Sequence, residues 1–169
     1  MNTSPQKSTL RTLLVAAIAT TLTASVVIGM SGTASAGETQ VADNAPRFAV
    51  EQSKKRVVNN GVLAFNKGKF AKAAAFNRDA LHQGLRAKHK TIVYSNQCAT
   101  LGSQGLYERA LNACDEALKL APTNWQALSN RAAVNWLNGD KVQAKLDIKS
   151  AEAIDATADA ISYNINVFG

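Results

Sequence analysis

The chain has 169 residues, 46% of them hydrophobic and 18% charged, too apolar for a disordered chain and too often interrupted by polar residues for a bundle of membrane helices. The first 36 residues read as a removable leader, so 133 remain, which suits one ordinary domain and excludes a multidomain enzyme. The leader holds two of the 19 bases and none of the 12 acids, so the remainder carries +5, divided as +7 over residues 37–90 and −2 over residues 91–169.

In chain order, the leader comes first. Lys7 and Arg11 precede an apolar or small stretch from Thr12 to Met30, and Ala34-Ser35-Ala36 supplies the small-x-small pattern that a signal peptidase cuts. Thr20, Thr21, Thr23 and Ser25 dilute the apolar stretch, which argues against a retained anchor. No cysteine stands near the cut to carry a lipid and no Arg-Arg pair suggests the twin-arginine route. Export to the bacterial periplasm follows as the expectation, with membrane contact only through the leader. Residues 37–53 are expected to be a flexible segment that leads, after Pro46, into the start of the first helix. The bases Lys54-Lys55-Arg56, Lys67, Lys69 and Lys72 read either as a solvated helix face or as a contact for an acidic partner, anionic lipid head groups or nucleic acid. Nucleic acid is not expected, because no glycine-rich or aromatic-basic motif accompanies the charge.

From residue 54 onward the chain repeats itself. Asn59, Asn96 and Asn130 form one column, Gly68, Gly105 and Gly139 a second, Ala73, Ala110 and Ala144 a third, and Ala80, Ala117 and Ala151 a fourth; every column steps by 37 and then 34 residues. Each glycine stands between two helical stretches, where a tight helix-to-helix turn needs a positive φ. The alanines, seven apart on one face, let a partner helix approach closely.

A unit of 34 residues with a small residue in the first helix, Gly at the turn and Ala twice in the second helix resembles the tetratricopeptide repeat. The middle copy carries it best, with Tyr94, Gly105-Leu106-Tyr107, Ala110, Ala117-Leu118 and Pro122. The first copy follows with Gly61, Gly68-Lys69-Phe70, Ala73 and Ala80-Leu81, and has Leu85 where the closing proline is usual. The third is the most worn, having Lys141 in place of an aromatic and Ala156 in place of the proline. The resemblance implies an all-α, right-handed helical-hairpin solenoid of three units, at 54–90, 91–124 and 125–156, closed by a capping helix at 157–169 that presents Ala158, Ile161, Ile165 and Phe168 on one face. The three extra residues of the longer step are expected in the linker between Gly84 and Lys90.

Chemistry has few candidates. His82 and His89 lack a third ligand, no catalytic or phosphate-binding motif occurs, and neither a metal nor another cofactor is expected. Cys98 lies seven residues before the Gly105 turn and Cys114 nine after, at one height in an antiparallel hairpin, which in an exported protein favours a disulfide over two reduced core residues. The resemblance implies a non-enzymatic module that holds a peptide or helix of another protein in a concave groove; the alternative is a part of an envelope or secretion assembly, packed through its convex face. Asn59, Asn96 and Asn130 point away from the Gly61, Cys98 and Ala132 column and are expected on the concave side, where asparagine ladders in peptide-binding members of the family are found. Around them the groove is expected to include Lys55, Val62, Phe65, Ile92, Ala99, Gln126, Ala133 and Trp136. The same column admits a purely structural role at the helix junction. The family's clamp for acidic chaperone tails needs several Lys and Arg, and Val58, Val62 and Gln126 stand in those places.

Intact-mass measurement of the exported protein is expected to find a chain starting at Gly37. A membrane-bound chain that retains residues 1–36 would contradict cleavage.

Overall fold

The computed structural model describes residues 44–169; the leader and its cleavage site lie outside the described residues. An extended segment, residues 45–53, precedes helices α1 (Arg56–Asn66), α2 (Phe70–Leu81), α3 (Ala87–Gly102), α4 (Tyr107–Leu120), α5 (Trp125–Leu137), α6 (Lys141–Glu152) and α7 (Asp159–Phe168). Successive helices pair as the hairpins α1–α2, α3–α4 and α5–α6, each hairpin packs on the next, and α7 lies against α5 and α6.

The repeat columns explain the hairpins. Gly68, Gly105 and Gly139 adopt φ of 67°, 73° and 93°. In the first two turns the amide beyond the glycine reaches back five residues, Lys69 to the Ala64 carbonyl at 2.9 Å and Leu106 to the Leu101 carbonyl at 3.0 Å, so the helix is closed by the glycine's left-handed backbone. The six column alanines are all 0% exposed, which places each of them at a helix contact where a larger side chain would force the backbones apart.

A second pair of columns defines the inside of each hairpin. Gly61, Cys98 and Ala132 meet residues 16 further on, Asn77, Cys114 and Ile148. In the first hairpin the absence of a side chain at Gly61 makes room for Asn77, whose Oδ1 a Cβ at Gly61 would strike. In the second, Cys98 and Cys114 are joined as a disulfide between α3 and α4, with Cα atoms 5.1 Å apart. In the third, Ala132 and Ile148 fill the same space with hydrocarbon.

Two expectations are corrected. Residues 46–53 do not extend the first helix: α1 begins at Arg56, and the chain before it is extended, because its main chain is held by side chains from elsewhere. The longer step between the first two repeats does not simply lengthen a loop. The residue equivalent to Trp125, the first of α5, is Thr91, yet α3 begins at Ala87, so the insertion adds a turn to the start of α3.

Thiol titration of the unfolded, unreduced protein is expected to find no free thiol. Replacing Cys98 and Cys114 together by alanine is expected to lower stability by about 3 kcal/mol, the chain-entropy value for a loop of this size, as read by urea denaturation. Two titratable thiols would contradict the pairing.

Candidate functional site

The asparagine column is joined by a fourth member. Asn164 on α7 follows Asn130 by the same 34 residues, so α7 stands as the first helix of a further unit. The four amides engage alternate residues of the extended segment. Asn164 Oδ1 accepts from Arg47 N–H at 2.7 Å, and its Nδ2 donates to the Arg47 carbonyl at 2.9 Å. Asn130 makes the same pair with Ala49 at 2.8 and 2.8 Å, and Asn96 with Glu51 at 2.8 and 2.9 Å. Asn59 accepts from Ser53 N–H at 2.7 Å.

This arrangement follows from the geometry of an extended chain and of a carboxamide. An extended chain turns the N–H and C=O of every second residue to the same side, about 6.7 Å apart along the chain. An asparagine amide presents one acceptor and one donor side by side, the complement of one residue's main chain. Residues 47–53, hereafter the strap, therefore lie along the first helices of the units in reverse order, from α7 to α1.

The amides are themselves oriented by the neighbouring unit. Asn130 Nδ2 also reaches Ser95 O at 3.2 Å and Ser95 Oγ at 3.3 Å, and Asn164 Nδ2 reaches Ser129 Oγ at 3.4 Å. Asn96, Asn130 and Asn164 are at most 1% exposed. Groups buried so deeply must be hydrogen-bonded, and the strap supplies most of those bonds.

Side chains of the strap grip both walls. Phe48 packs on the cluster of Cys98, Leu101 and Val134, with its ring over Gly102. The Arg47 guanidinium lies 3.7 Å above the Tyr163 ring. Ser53 Oγ is 2.8 Å from His89 Nδ1. Glu51 borders a cavity of about 260 Å³ with Ile92, Lys88 and Leu120. Burial pushes the Glu51 carboxyl above its usual range, and the charge of Lys88 partly opposes this. A raised folded-state value means that Glu51 favours the docked strap most at acid pH, and that this contribution is lost as pH rises through the raised pKa.

The expected groove residues fall into two groups. Asn59, Asn96 and Asn130 bind the strap, Ala99 and Ala133 are buried at 0% exposure, and Val62 is buried at 2%. Ile92 shares the Glu51 cavity, and Gln126 is half-buried at the start of α5. Lys55 is the exposed residue that precedes α1. The two aromatic positions carry ring contacts: Phe65 packs edge-on against Phe70 at 5.2 Å, and Trp136 is stacked on Phe168 at 4.5 Å with Lys141 Nζ 3.7 Å from its ring.

A second polar network lies behind the ladder. Arg131 forms a two-pronged pair with Asp147 at 2.7 and 2.8 Å and reaches Asp115 at 2.8 Å, while Asn135 and Gln143 also donate to Asp147. The hydrogen bonds to Asp147 hold Arg131 charged, against the cost of burying it. This network joins α4, α5 and α6 through bonds among its own members, so it reads as a structural tie. Among the described residues no group of His, Cys, Asp and Glu is placed to hold a metal ion, and no helix is long and apolar enough to cross a membrane.

Replacing Asn130 by alanine removes bonds to both polar groups of Ala49 and leaves them facing apolar surface. The expected loss is about 2–3 kcal/mol in urea denaturation, against about 1 kcal/mol for Asn59→Ala, whose half-buried amide holds one N–H. Equal, negligible losses at both positions would contradict the ladder.

No family model and no curated protein matches the sequence. The structure, by contrast, is similar to solved tetratricopeptide repeat (TPR) domains. It matches the Arabidopsis OM64 TPR domain with a TM-score of 0.57 and 18% identity, over 66% of this chain and 90% of that one. The first TPR of Spaghetti (RPAP3), bound to the HSP90 peptide SRMEEVD, gives 0.59 and 15%, over 66% and 89%. The second TPR domain of human RPAP3, in complex with the HSP70 peptide SGPTIEEVD, gives 0.56 and 18%, over 66% and 91%. The fold of this chain is the all-α helical solenoid of the TPR domains.

Proposed function

We propose that the chain is a non-enzymatic protein-interaction module whose concave groove holds an extended segment of another protein, in the periplasm after removal of residues 1–36. The observation that carries this reading is the ladder itself. Three amides each donate to and accept from the main chain of one residue in an extended segment, a form of recognition that demands little of the side chains. The RPAP3 domains of the same fold hold peptides of HSP90 and HSP70, which supports a peptide ligand. Those peptides end in acidic residues, whereas Val58 and Val62 are buried here at 0% and 2% exposure, so this groove is suited to a different sequence class. The Cys98–Cys114 pair and the Ala34-Ser35-Ala36 pattern support an oxidising compartment outside the cytoplasm.

A second reading has its own observation. The groove holds the chain's own strap, and α6 exposes Val142 at 74% and Leu146 at 56%, which favours an assembly component that docks through the outer face of α6.

Capture of partners from periplasmic extract separates the two. Asn96→Ala with Asn130→Ala is expected to abolish capture, and Val142→Asp with Leu146→Asp to leave it intact, in chains that retain their helical circular dichroism. The reverse pattern would establish the assembly reading.

A further inference from the structure

The strap contacts identify which extended segment the groove is shaped to take; this inference rests on the groove reading above and adds the ligand class. Gly102 is the point where the floor has been cut away. A Cβ there would stand 2.6 Å from Phe48 Cζ and 2.9 Å from Val134 Cγ2, so a side chain at this position would displace the ring from its seat. The positions 37 before and 34 after Gly102 are Phe65 and Trp136. Each of these supplies its own unit with an aromatic ring, packed on Phe70 and on Phe168. The middle unit lacks that ring, and Phe48 of the strap provides it. Arg47, the preceding residue, projects to the opposite side of an extended chain and meets Tyr163. The ladder thus reads the main chain, while Gly102 and Tyr163 read two consecutive side chains.

We propose that residues 46–53 are a resident, exchangeable ligand, and that the partner segment they stand in for is an extended peptide with a basic residue followed directly by an aromatic one. The aromatic ring of that peptide seats over Gly102 and its cation over Tyr163. In the full chain the tethered strap competes at an effective concentration in about the millimolar range, so the groove releases it only to a segment that reproduces these contacts or when the strap is weakened.

The test uses the full chain and a fluorescein-labelled peptide of residues 45–53, APRFAVEQS, followed by fluorescence polarisation. Two variants weaken the strap. Phe48→Ala removes its ring, and Ala49→Pro removes the N–H given to Asn130 while leaving the Gly102 seat untouched. Each is expected to bind the peptide at least tenfold more tightly than the unaltered chain does. A peptide with alanine in place of its phenylalanine is expected to bind at least tenfold more weakly, and Gly102→Val to abolish the difference between the two peptides. If both peptides bind the weakened chains equally, the groove reads main chain alone and the inference fails while the groove reading stands. If neither peptide binds to variants that keep their wild-type circular dichroism, the groove reading fails as well. If both variants lose the folded state, the strap is a fixed part of the core and the inference is overturned.

Discussion

A side-chain amide hydrogen-bonded on both edges to one residue of an extended chain is the interaction on which this structure turns. Repeated at Asn96, Asn130 and Asn164, it fixes more than the strap. The spacing of alternate residues in an extended chain is set by covalent geometry. Successive units must therefore present their amides at that spacing for the strap to engage all of them. Bonds from Asn130 and Asn164 to Ser95 and Ser129 of the preceding unit hold the amides ready in that register.

The strap also changes what kind of polymer the solenoid is. Repeat proteins are governed by contacts between neighbouring units, and their ends open first. Here a segment just before α1 reaches α7, with hydrogen bonds spanning 117 residues between Arg47 and Asn164 and 81 between Ala49 and Asn130. Those contacts tie first unit to last. In the middle, the disulfide and the Phe48 ring both pack within the α3–α4–α5 cluster, so the centre is held covalently as well as by burial.

Much of this was legible in the sequence, because repetition leaves the same physical demand at a fixed interval. The turn glycines, the contact alanines and the Cys98–Cys114 pairing all follow from where residues fall in a helical hairpin. The asparagines were legible as a row, and Asn164 carried the same 34-residue signal without the glycine and alanine columns that marked the three units before it. The strap was not legible. Pro46 and the residues after it have no strong preference of their own, and their extended form is imposed by amides up to 117 residues away.

Amide hydrogen exchange along the strap tests the central claim most directly. The account predicts alternation: slow exchange at Arg47, Ala49, Glu51 and Ser53, whose N–H groups meet asparagine oxygens, and fast exchange at the intervening Phe48, Val50 and Gln52. Uniformly fast exchange across residues 47–53 would contradict a docked strap, and uniformly slow exchange would contradict recognition by the asparagine row.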